Sequence, residues 1–406
     1  MRVSFEKAPL ARLFLAQALY WSCAIMGVIL NAVAGLELAG TATLATLPLG
    51  LMALGYLASV QPLARLMQRR GRRLGFMLGS LAGVGAGLAA ALALQLSSFV
   101  LFCLSMLVFG VYQASAMFYR FAAVEAVPEA FRGRATAWVI SGGVLAALCA
   151  PGLAGFSQGI LATPFVASYL LLAMLAVLGL LVLAGLAEPS RGQAPSATGA
   201  APGYRELLKR PAVRAAIVTT AVGHGLMILV MNATPLAMHG HGMSVEASAE
   251  VIRWHVLGMF LPAFVAGPLI DRLGGRRVAV IGAVTMAASA LVALSGNEHG
   301  AFLLSSCLLG VAWNLMLVAG TTLLGSGHDA SERASAQGLM ELLNGGAATA
   351  MSFASGALIA SVGWSAVNLG VLPLIIWVLA LRPCGGFHGT AEVPEMSAGR
   401  KPDDSA

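Results

Sequence analysis

The chain has 406 residues, of which 58% are hydrophobic and only 10% are charged, and its mean hydropathy is +0.85. So few charged side chains cannot cover the surface of a water-soluble fold, and the composition therefore excludes a soluble enzyme and indicates a protein embedded in a lipid bilayer. The net charge of +7 does not indicate a nucleic-acid partner, because the basic residues lie in short loops between apolar runs.

Apolar runs long enough to cross a bilayer as a helix, which takes roughly 20 residues, occur twelve times. We predict spans at 10–35, 43–65, 74–95, 98–122, 136–158, 164–187, 212–237, 248–270, 277–296, 300–325, 335–361 and 364–382. The predicted fold class is an all-α membrane protein with twelve transmembrane helices. Its parts are an N-terminal six-helix half (1–187), a cytoplasmic linker (188–211), a C-terminal six-helix half (212–382) and a disordered cytoplasmic tail (383–406).

Lys and Arg residues fall on alternate sides of these spans. They precede span one, follow spans two, four and eight, precede span eleven, and occur in the linker and the tail. The alternate loops, near 36–43, 95–98, 159–163, 238–247 and 296–300, contain neither residue type. Because basic loops stay in the cytoplasm, we predict a multi-pass protein of the cell inner membrane with both termini cytoplasmic. The linker segment 204–210 suits either a short helix on the inner membrane surface or a simple tether.

A charged, glycine-turned loop joins spans eight and nine, and a degenerate copy of it follows span two. Twelve spans in two related halves, each with a basic turn after its second span, are typical of a duplicated transporter. The loop is similar to the motif Gly-x-Leu-x-Asp-Arg-x-Gly-Arg-Arg through Gly267, Leu269, Asp271, Arg272, Gly274 or Gly275, Arg276 and Arg277. Over nearly its whole length the chain resembles the major facilitator superfamily, in which this motif occurs. The resemblance implies a cytoplasmic latch formed by Gly267, Asp271, Arg272, Gly275, Arg276 and Arg277, with Gly71, Arg72 and Arg73 from the first copy.

In that family the acid of the latch faces a helix N-terminus, where a carboxylate is favoured. The first copy has Met67 at the position of Asp271, so we expect a weaker latch in the first half. In span five, Pro151 and Gly152 partly resemble the Gly-Pro motif of drug/proton antiporters. This motif would permit a helix hinge or close packing, and it favours export slightly over uptake.

Ionisable residues inside spans are costly and usually functional. Glu341 in span eleven is the strongest candidate for proton or substrate handling, and Gln337 and Asn344 share its helix face. His224 lies near the middle of span seven, with Asn232 two turns further on and near the same face. A structural hydrogen bond to a neighbouring helix is the alternative for both ionisable groups.

Other polar and aromatic residues suit a flat, partly apolar substrate, although each of them could simply be packing. Arg120 in span four would bind an anionic substrate, extend to the inner surface or pair with Glu125. Arg253 and His255 would line an outer vestibule. The remaining candidates for the substrate site are Gln17, Tyr20, Trp21, Tyr112, Gln113, Trp313 and Asn314.

No phosphate-binding loop and no metal-ligand spacing occur, so we expect no cofactor, no bound metal and no enzymatic reaction. We predict a monomeric secondary transporter that moves a small organic solute by alternating access, coupled to protons. One alternative is uptake of a nutrient, because the segments 224–227 and 312–314 loosely resemble bacterial permeases that include riboflavin uptake systems. Another is a transport-inactive membrane sensor with the same fold.

Overall fold

The computed structural model describes residues 7–39, 44, 47–187, 203–243, 245–329 and 331–380. All regular structure in these residues is helical. The helices are α1 (Lys7–Ala39), α2 (Leu47–Arg70), α3 (Arg72–Gln95), α4 (Phe99–Ala116), α5 (Tyr119–Glu125), α6 (Arg132–Ser157), α7 (Val166–Ala184), α8 (Tyr204–Lys209), α9 (Pro211–Gly240), α10 (Val245–Phe260), α11 (Ala263–Leu273), α12 (Gly275–Ser295), α13 (His299–Leu324) and α14 (Arg333–Ala380), with a 3₁₀ turn at Glu129–Phe131.

Eleven candidate spans in the described residues are long and apolar enough to cross a membrane, and the last of them is α14, with 48 residues. A helix of that length would extend about 72 Å, more than twice the thickness of a hydrocarbon core. Gly363 interrupts α14 with a φ of 78°, a conformation that glycine adopts without steric cost. The element is therefore two consecutive spans, and the predicted count of twelve is confirmed.

Two predicted spans contain a break. Span four is divided into α4 and α5 at Met117–Phe118, and span eight is divided into α10 and α11 at Leu261–Pro262. Proline has no backbone N–H to continue a helical ladder, which accounts for the second break. In the linker, α8 shows that the 204–210 segment is helical as far as Lys209. The rest of the linker (188–202) and the predicted tail (383–406) fall outside the described residues.

The two halves repeat the same helix crossing. In the first half, a Cβ added to Gly55 in α2 would lie 2.0 Å from the backbone oxygen of Leu107 in α4. In the second half, a Cβ added to Gly258 in α10 would lie 2.6 Å from the backbone oxygen of Cys307 in α13. Only glycine permits two backbones to approach so closely. The corresponding helices of both halves therefore cross through matched glycines, as expected of a duplication.

The halves meet along two seams, where α2 packs on α14 and α6 packs on α11. A glycine at each seam allows the two helices to approach closely. At Gly345 in α14 a Cβ would lie 2.0 Å from the Tyr56 ring of α2, and at Gly267 in α11 it would lie 2.7 Å from the Cα of Arg134 in α6. We call the end of the bundle that carries Arg72, Arg134 and Arg276 the basic-loop side.

Candidate functional site

A continuous series of aromatic rings crosses from one half of the bundle to the other. It runs through Tyr112, Tyr20, Trp21, Phe260, Trp313 and His224, and we call it the aromatic path. The step between the halves joins Trp21 of α1 to Phe260 of α10, whose ring centroids lie 5.1 Å apart in an edge-on arrangement. Such edge-on contacts are the favoured geometry of aromatic pairs. The path therefore forms a largely buried contact surface shared by both halves.

Glycines in α6 make room for this surface. A Cβ at Gly143 would lie 2.3 Å from the ring of Phe260, and a Cβ at Gly142 would lie 2.5 Å from the backbone oxygen of Phe14 in α1. Neither approach is compatible with a side chain. The position of the Phe260 ring thus depends on the absence of a side chain at Gly143.

At the far end of the path, Trp313 brings His224 into the site. The indole N–H of Trp313 donates to Nδ1 of His224 over 3.2 Å. A neutral imidazole that accepts at Nδ1 carries its proton on Nε2. His224 can therefore present a hydrogen-bond donor to a ligand while Trp313 fixes the orientation of its ring.

Several buried polar atoms on α1, α4, α13 and α14 have no partner among the described residues. They are Gln17 Oε1, Trp21 Nε1, Gln113 Oε1, Asn314 Oδ1 and Asn344 Oδ1. A buried polar atom without a partner costs about 1–3 kcal/mol, and most such atoms in native proteins are satisfied by protein or ordered water. These four amide oxygens and one indole N–H are therefore available to a polar ligand or to ordered water.

The acid of span eleven is not a lone carboxylate. Glu341 is fully buried and pairs with the guanidinium of Arg120, which is 5% exposed. Tyr56 of α2 also donates its hydroxyl to Glu341 over 3.0 Å. These contacts are of the kind that the structural alternative for Glu341 describes, and sequence position alone could not show that α5 and α2 face this part of α14. Arg120 is likewise buried and does not extend to the surface.

Glu125, which the sequence offers as one possible partner of Arg120, belongs to a second charged cluster near the helix ends. Arg72 donates to Glu125 over 2.5 Å and also to Gln337, whose own amide donates to Glu125 over 3.0 Å. Arg333 lies 3.6 Å from the same carboxylate. The basic turn of the first half therefore has an acidic partner, supplied by α5 instead of by the position that Met67 occupies.

On the opposite seam, Asp271 of α11 lies at the N-terminus of α6. Its carboxylate is 2.8 Å from Nε of Arg134 and lies against the first turn of α6 at Gly133. The partial positive charge of a helix N-terminus stabilises a carboxylate there. The arrangement ties the second half to the first on the basic-loop side. Arg272, Arg276 and Arg277 are exposed, and Gly275 packs against α13.

Other candidates do not join the site. Asn232 is exposed and donates to Ser352 over 3.1 Å, so it does not share the surroundings of His224. Arg253 is exposed, whereas His255 is buried and contacts the backbone oxygen of Ser306, so the two residues do not form one vestibule surface. The reason is that residues two apart point to different sides of a helix.

The candidate hinge in span five also lacks the close packing expected of it. Pro151 and Gly152 are exposed in a continuous α6, and a Cβ at Gly152 would meet open space. In the first basic turn, Gly71 has a φ of 97°, which requires glycine. Arg73 lies beside it at the start of α3.

Sequence reasoning missed Tyr56 and Phe260. Both are aromatic residues in apolar runs, where nothing distinguishes them from core residues before the two halves are docked. The break at Leu261–Pro262 is the one local signal near Phe260. The described residues contain no group of His, Cys, Asp or Glu side chains that could hold a metal ion.

Comparisons with known proteins agree with this architecture. Residues 13–252 and 248–395 match the model of the Major Facilitator Superfamily. The riboflavin transporter RfnT of Brucella anthropi is 37% identical over 382 residues, covering 92% of this chain and 96% of that protein. The uncharacterized MFS-type transporter YdeG of Bacillus subtilis is 31% identical over 378 residues, covering 86% and 87% of the two chains.

Two solved structures share the fold at low sequence identity. The human organic anion transporter MFSD10 has a TM-score of 0.75 at 14% identity, with 93% of this chain and 99% of that chain covered. The transporter FucP in its outward conformation has a TM-score of 0.72 at 15% identity, with 92% and 98% covered. Together with the family match along both halves, these similarities show that the chain belongs to the Major Facilitator Superfamily of membrane transporters.

Proposed function

We propose that this transporter moves riboflavin, or a similarly flat heteroaromatic solute with polar edges, through a site between its two halves. The observation that carries the proposal is the aromatic path, which is accompanied by unpaired amides on α1, α4, α13 and α14. Aromatic side chains stack on a flat ring system, and the amides can bond to its carbonyl, imino and hydroxyl groups. The 37% identity with a riboflavin transporter supports the same substrate class.

His224 can act as a hydrogen-bond donor to a ligand in this site. With Nδ1 occupied by the Trp313 N–H, the Nε2–H of the neutral ring is a donor, which suits a ring carbonyl of the substrate. Substrate binding would then satisfy groups that the protein alone leaves unpaired. A site of this kind rejects ligands that lack the matching polar group, because its buried amides then stay unpaired.

We propose proton coupling through the Arg120–Glu341 pair. The pair joins the halves, and Glu341 lies about 12 Å along α14 from its first residue. Opening the basic-loop side must separate the two side chains, and leaving either charge buried without its partner costs several kcal/mol. A proton on Glu341 would remove its charge and allow separation. One proton crossing ~100 mV supplies about 2.3 kcal/mol to such a cycle.

We propose a cell inner membrane location with both termini cytoplasmic, the orientation that the basic loops support. The side held closed by charged contacts would then be the cytoplasmic side. One chain supplies both halves, which supports a monomer as the transport unit. The name of the riboflavin transporter specifies no direction. Export remains a prediction from the span-five motif, and uptake is its alternative.

The first experiment is riboflavin binding by the purified protein in detergent, followed by thermal unfolding. A ligand at 100 times its Kd adds about 2.7 kcal/mol to stability. We expect His224→Ala and Trp313→Phe to weaken riboflavin binding tenfold or more, about 1.4 kcal/mol. The exposed residues His299 and Trp377 provide matched controls, and His299→Ala and Trp377→Phe should bind as the wild type does.

Flux in proteoliposomes then separates the remaining possibilities. Accumulation of riboflavin against its concentration gradient, when a proton gradient is imposed, shows coupling to protons. The orientation of the proton gradient that drives accumulation gives the direction of transport. Binding without flux would favour the transport-inactive sensor. No binding of riboflavin or of related flat heterocycles by the folded protein would overturn the proposed substrate class.

A further inference from the structure

A groove of about 290 Å³ lies on the outer surface of the bundle, where α6 meets α11. The first half contributes Leu10, Phe131 and Trp138 to its walls, and the second half contributes Ala263, Phe264 and Pro268. Trp138 is 45% exposed and Phe264 is 51% exposed. The groove is therefore an apolar surface on membrane-spanning helices that neither half forms alone. Its place outside the aromatic path excludes it from the proposed substrate site.

One charged side chain lines this groove. Arg134, in the first turn of α6, is 49% exposed, and its guanidinium lies 5.5 Å from the centroid of the Phe131 ring. Among the described residues its carboxylate partner is Asp271, which it contacts through Nε. That contact leaves the two terminal nitrogens for a second anion. Arginine binds phosphate oxygens with paired N–H donors of this kind.

We propose that the groove binds one anionic phospholipid from the leaflet on the basic-loop side. Its phosphate would bond to the terminal nitrogens of Arg134, and an acyl chain would lie between Trp138 and Phe264. The apolar groove suits the acyl chain of such a lipid, and the cation at the membrane surface suits its phosphate. Aromatic residues at this depth are typical of the boundary between headgroups and acyl chains.

The site has a consequence for the conformational cycle. Because both halves form the walls, the groove exists only while α6 and α11 are in contact. A ligand that binds one arrangement better than another shifts the population towards it. The bound lipid would therefore favour the state in which the basic-loop side is closed, and it would share Arg134 with Asp271.

The test uses the full chain in vesicles that contain brominated phosphatidylglycerol or brominated phosphatidylcholine, both of which quench nearby tryptophan fluorescence. The Trp138 signal is the difference between the wild type and Trp138→Phe. The Trp254 signal, obtained in the same way, is a matched control because Trp254 is also 45% exposed but lies on α10, outside the groove. We expect about a fivefold preference for phosphatidylglycerol at Trp138, the effect of one basic group, and none at Trp254.

Two variants separate the lipid site from the latch, since both break the contact between Arg134 and Asp271. Arg134→Gln should abolish the preference at Trp138. Asp271→Asn should keep it or increase it, because the Arg120–Glu341 pair still holds the halves together and Arg134 no longer has a competing carboxylate. Free glycerol phosphate should not compete, because it has no acyl chain. Equal quenching by both lipids at Trp138, or loss of the preference in both variants, would overturn the proposal. None of these readouts depends on transport of riboflavin.

Discussion

Arg120 and Glu341 lie 221 residues apart in the chain and form a buried ion pair that joins the two halves of the transporter. In this arrangement Glu341 is fully buried and has no contact with solvent. Tyr56 gives the carboxylate a further donor from α2. Two helices of the first half therefore hold one acid of the second, and we propose that opening requires this contact to break.

Removing the acid should uncouple transport from the proton gradient. We expect Glu341→Gln to abolish accumulation driven by a pH gradient in proteoliposomes while exchange of substrate is partly retained. The unpaired Arg120 should also lower stability by about 3–5 kcal/mol. The double variant Arg120→Gln/Glu341→Gln should recover much of that stability. Glu250→Gln, at a half-exposed acid, is the control, and gradient-driven accumulation in Glu341→Gln equal to the wild type would contradict the coupling role.

The latch at the N-terminus of α6 should affect turnover more than affinity. Asp271→Asn removes the charge that contacts Arg134 and lies against the first turn of α6 at Gly133. We expect a slower transport rate, a Kd for riboflavin within about twofold of the wild type, and a loss of roughly 1–3 kcal/mol of stability. Rates of flux and equilibrium binding measured on the same preparation check this. A normal rate with weakened binding would argue for a substrate contact instead.

A single methyl group in α6 should disturb the aromatic path. Gly143→Ala places its Cβ against the ring of Phe260, and overpacking of this kind costs about 1–3 kcal/mol. We expect weaker riboflavin binding, and partial recovery in Gly143→Ala/Phe260→Leu, where the ring is removed. Gly152→Ala, which meets open space in the same helix, should leave binding unchanged. Identical binding by the wild type and Gly143→Ala would show that the Phe260 ring does not shape the site.

A contact outside the spans should make stability depend on pH. The hydrogen bond from Arg210 lowers the pKa of Glu332 below its ordinary value of 4.5. A lowered pKa means that the stabilisation is fully present above about pH 4.5 and is lost as the pH falls through the folded-state pKa. The difference in Tm between the wild type and Glu332→Gln should therefore be constant from pH 7 to pH 5 and shrink in stronger acid.

Arg210 is 37% exposed, so we expect this contribution to be no larger than about 1 kcal/mol. A difference in Tm that grows as the pH falls below 4.5 would have the wrong sign for this ion pair.

Hydropathy and loop charge were sufficient to predict the twelve spans, because the bilayer fixes both the length of a span and the location of its basic loops. They could not predict which side chains meet between the halves. The pattern placed Gln337, Glu341 and Asn344 on one face of α14, but the residues opposite that face come from α2, α3 and α5. Only the docking of the halves shows that Arg120 and Tyr56 are there.

The same limit explains the outcomes at His224 and Glu125. His224 was recognised as a polar residue in mid-span, yet its partner Trp313 lies on a different helix, 89 residues away. Pairing with Glu125 is one of three alternatives that the sequence leaves open for Arg120, whereas the structure pairs Glu125 with Arg72 and Gln337. Proximity in sequence does not predict the partner of an acid that side chains from both halves can contact.

The matched glycines at the α2–α4 and α10–α13 crossings lead to a conclusion about the origin of the protein. The charged loop motif has diverged between the halves, since Met67 occupies the place of Asp271. The crossing has not: Gly55 corresponds to Gly258 and Gly110 to Gly310, each pressed against a neighbouring backbone. A lost acid can be replaced by an acid from another helix, as Glu125 shows. A side chain added at one of these glycines would instead collide with the neighbouring backbone, and no other residue can relieve that collision. The ancestry of the two halves is therefore recorded most faithfully at positions that carry no side chain.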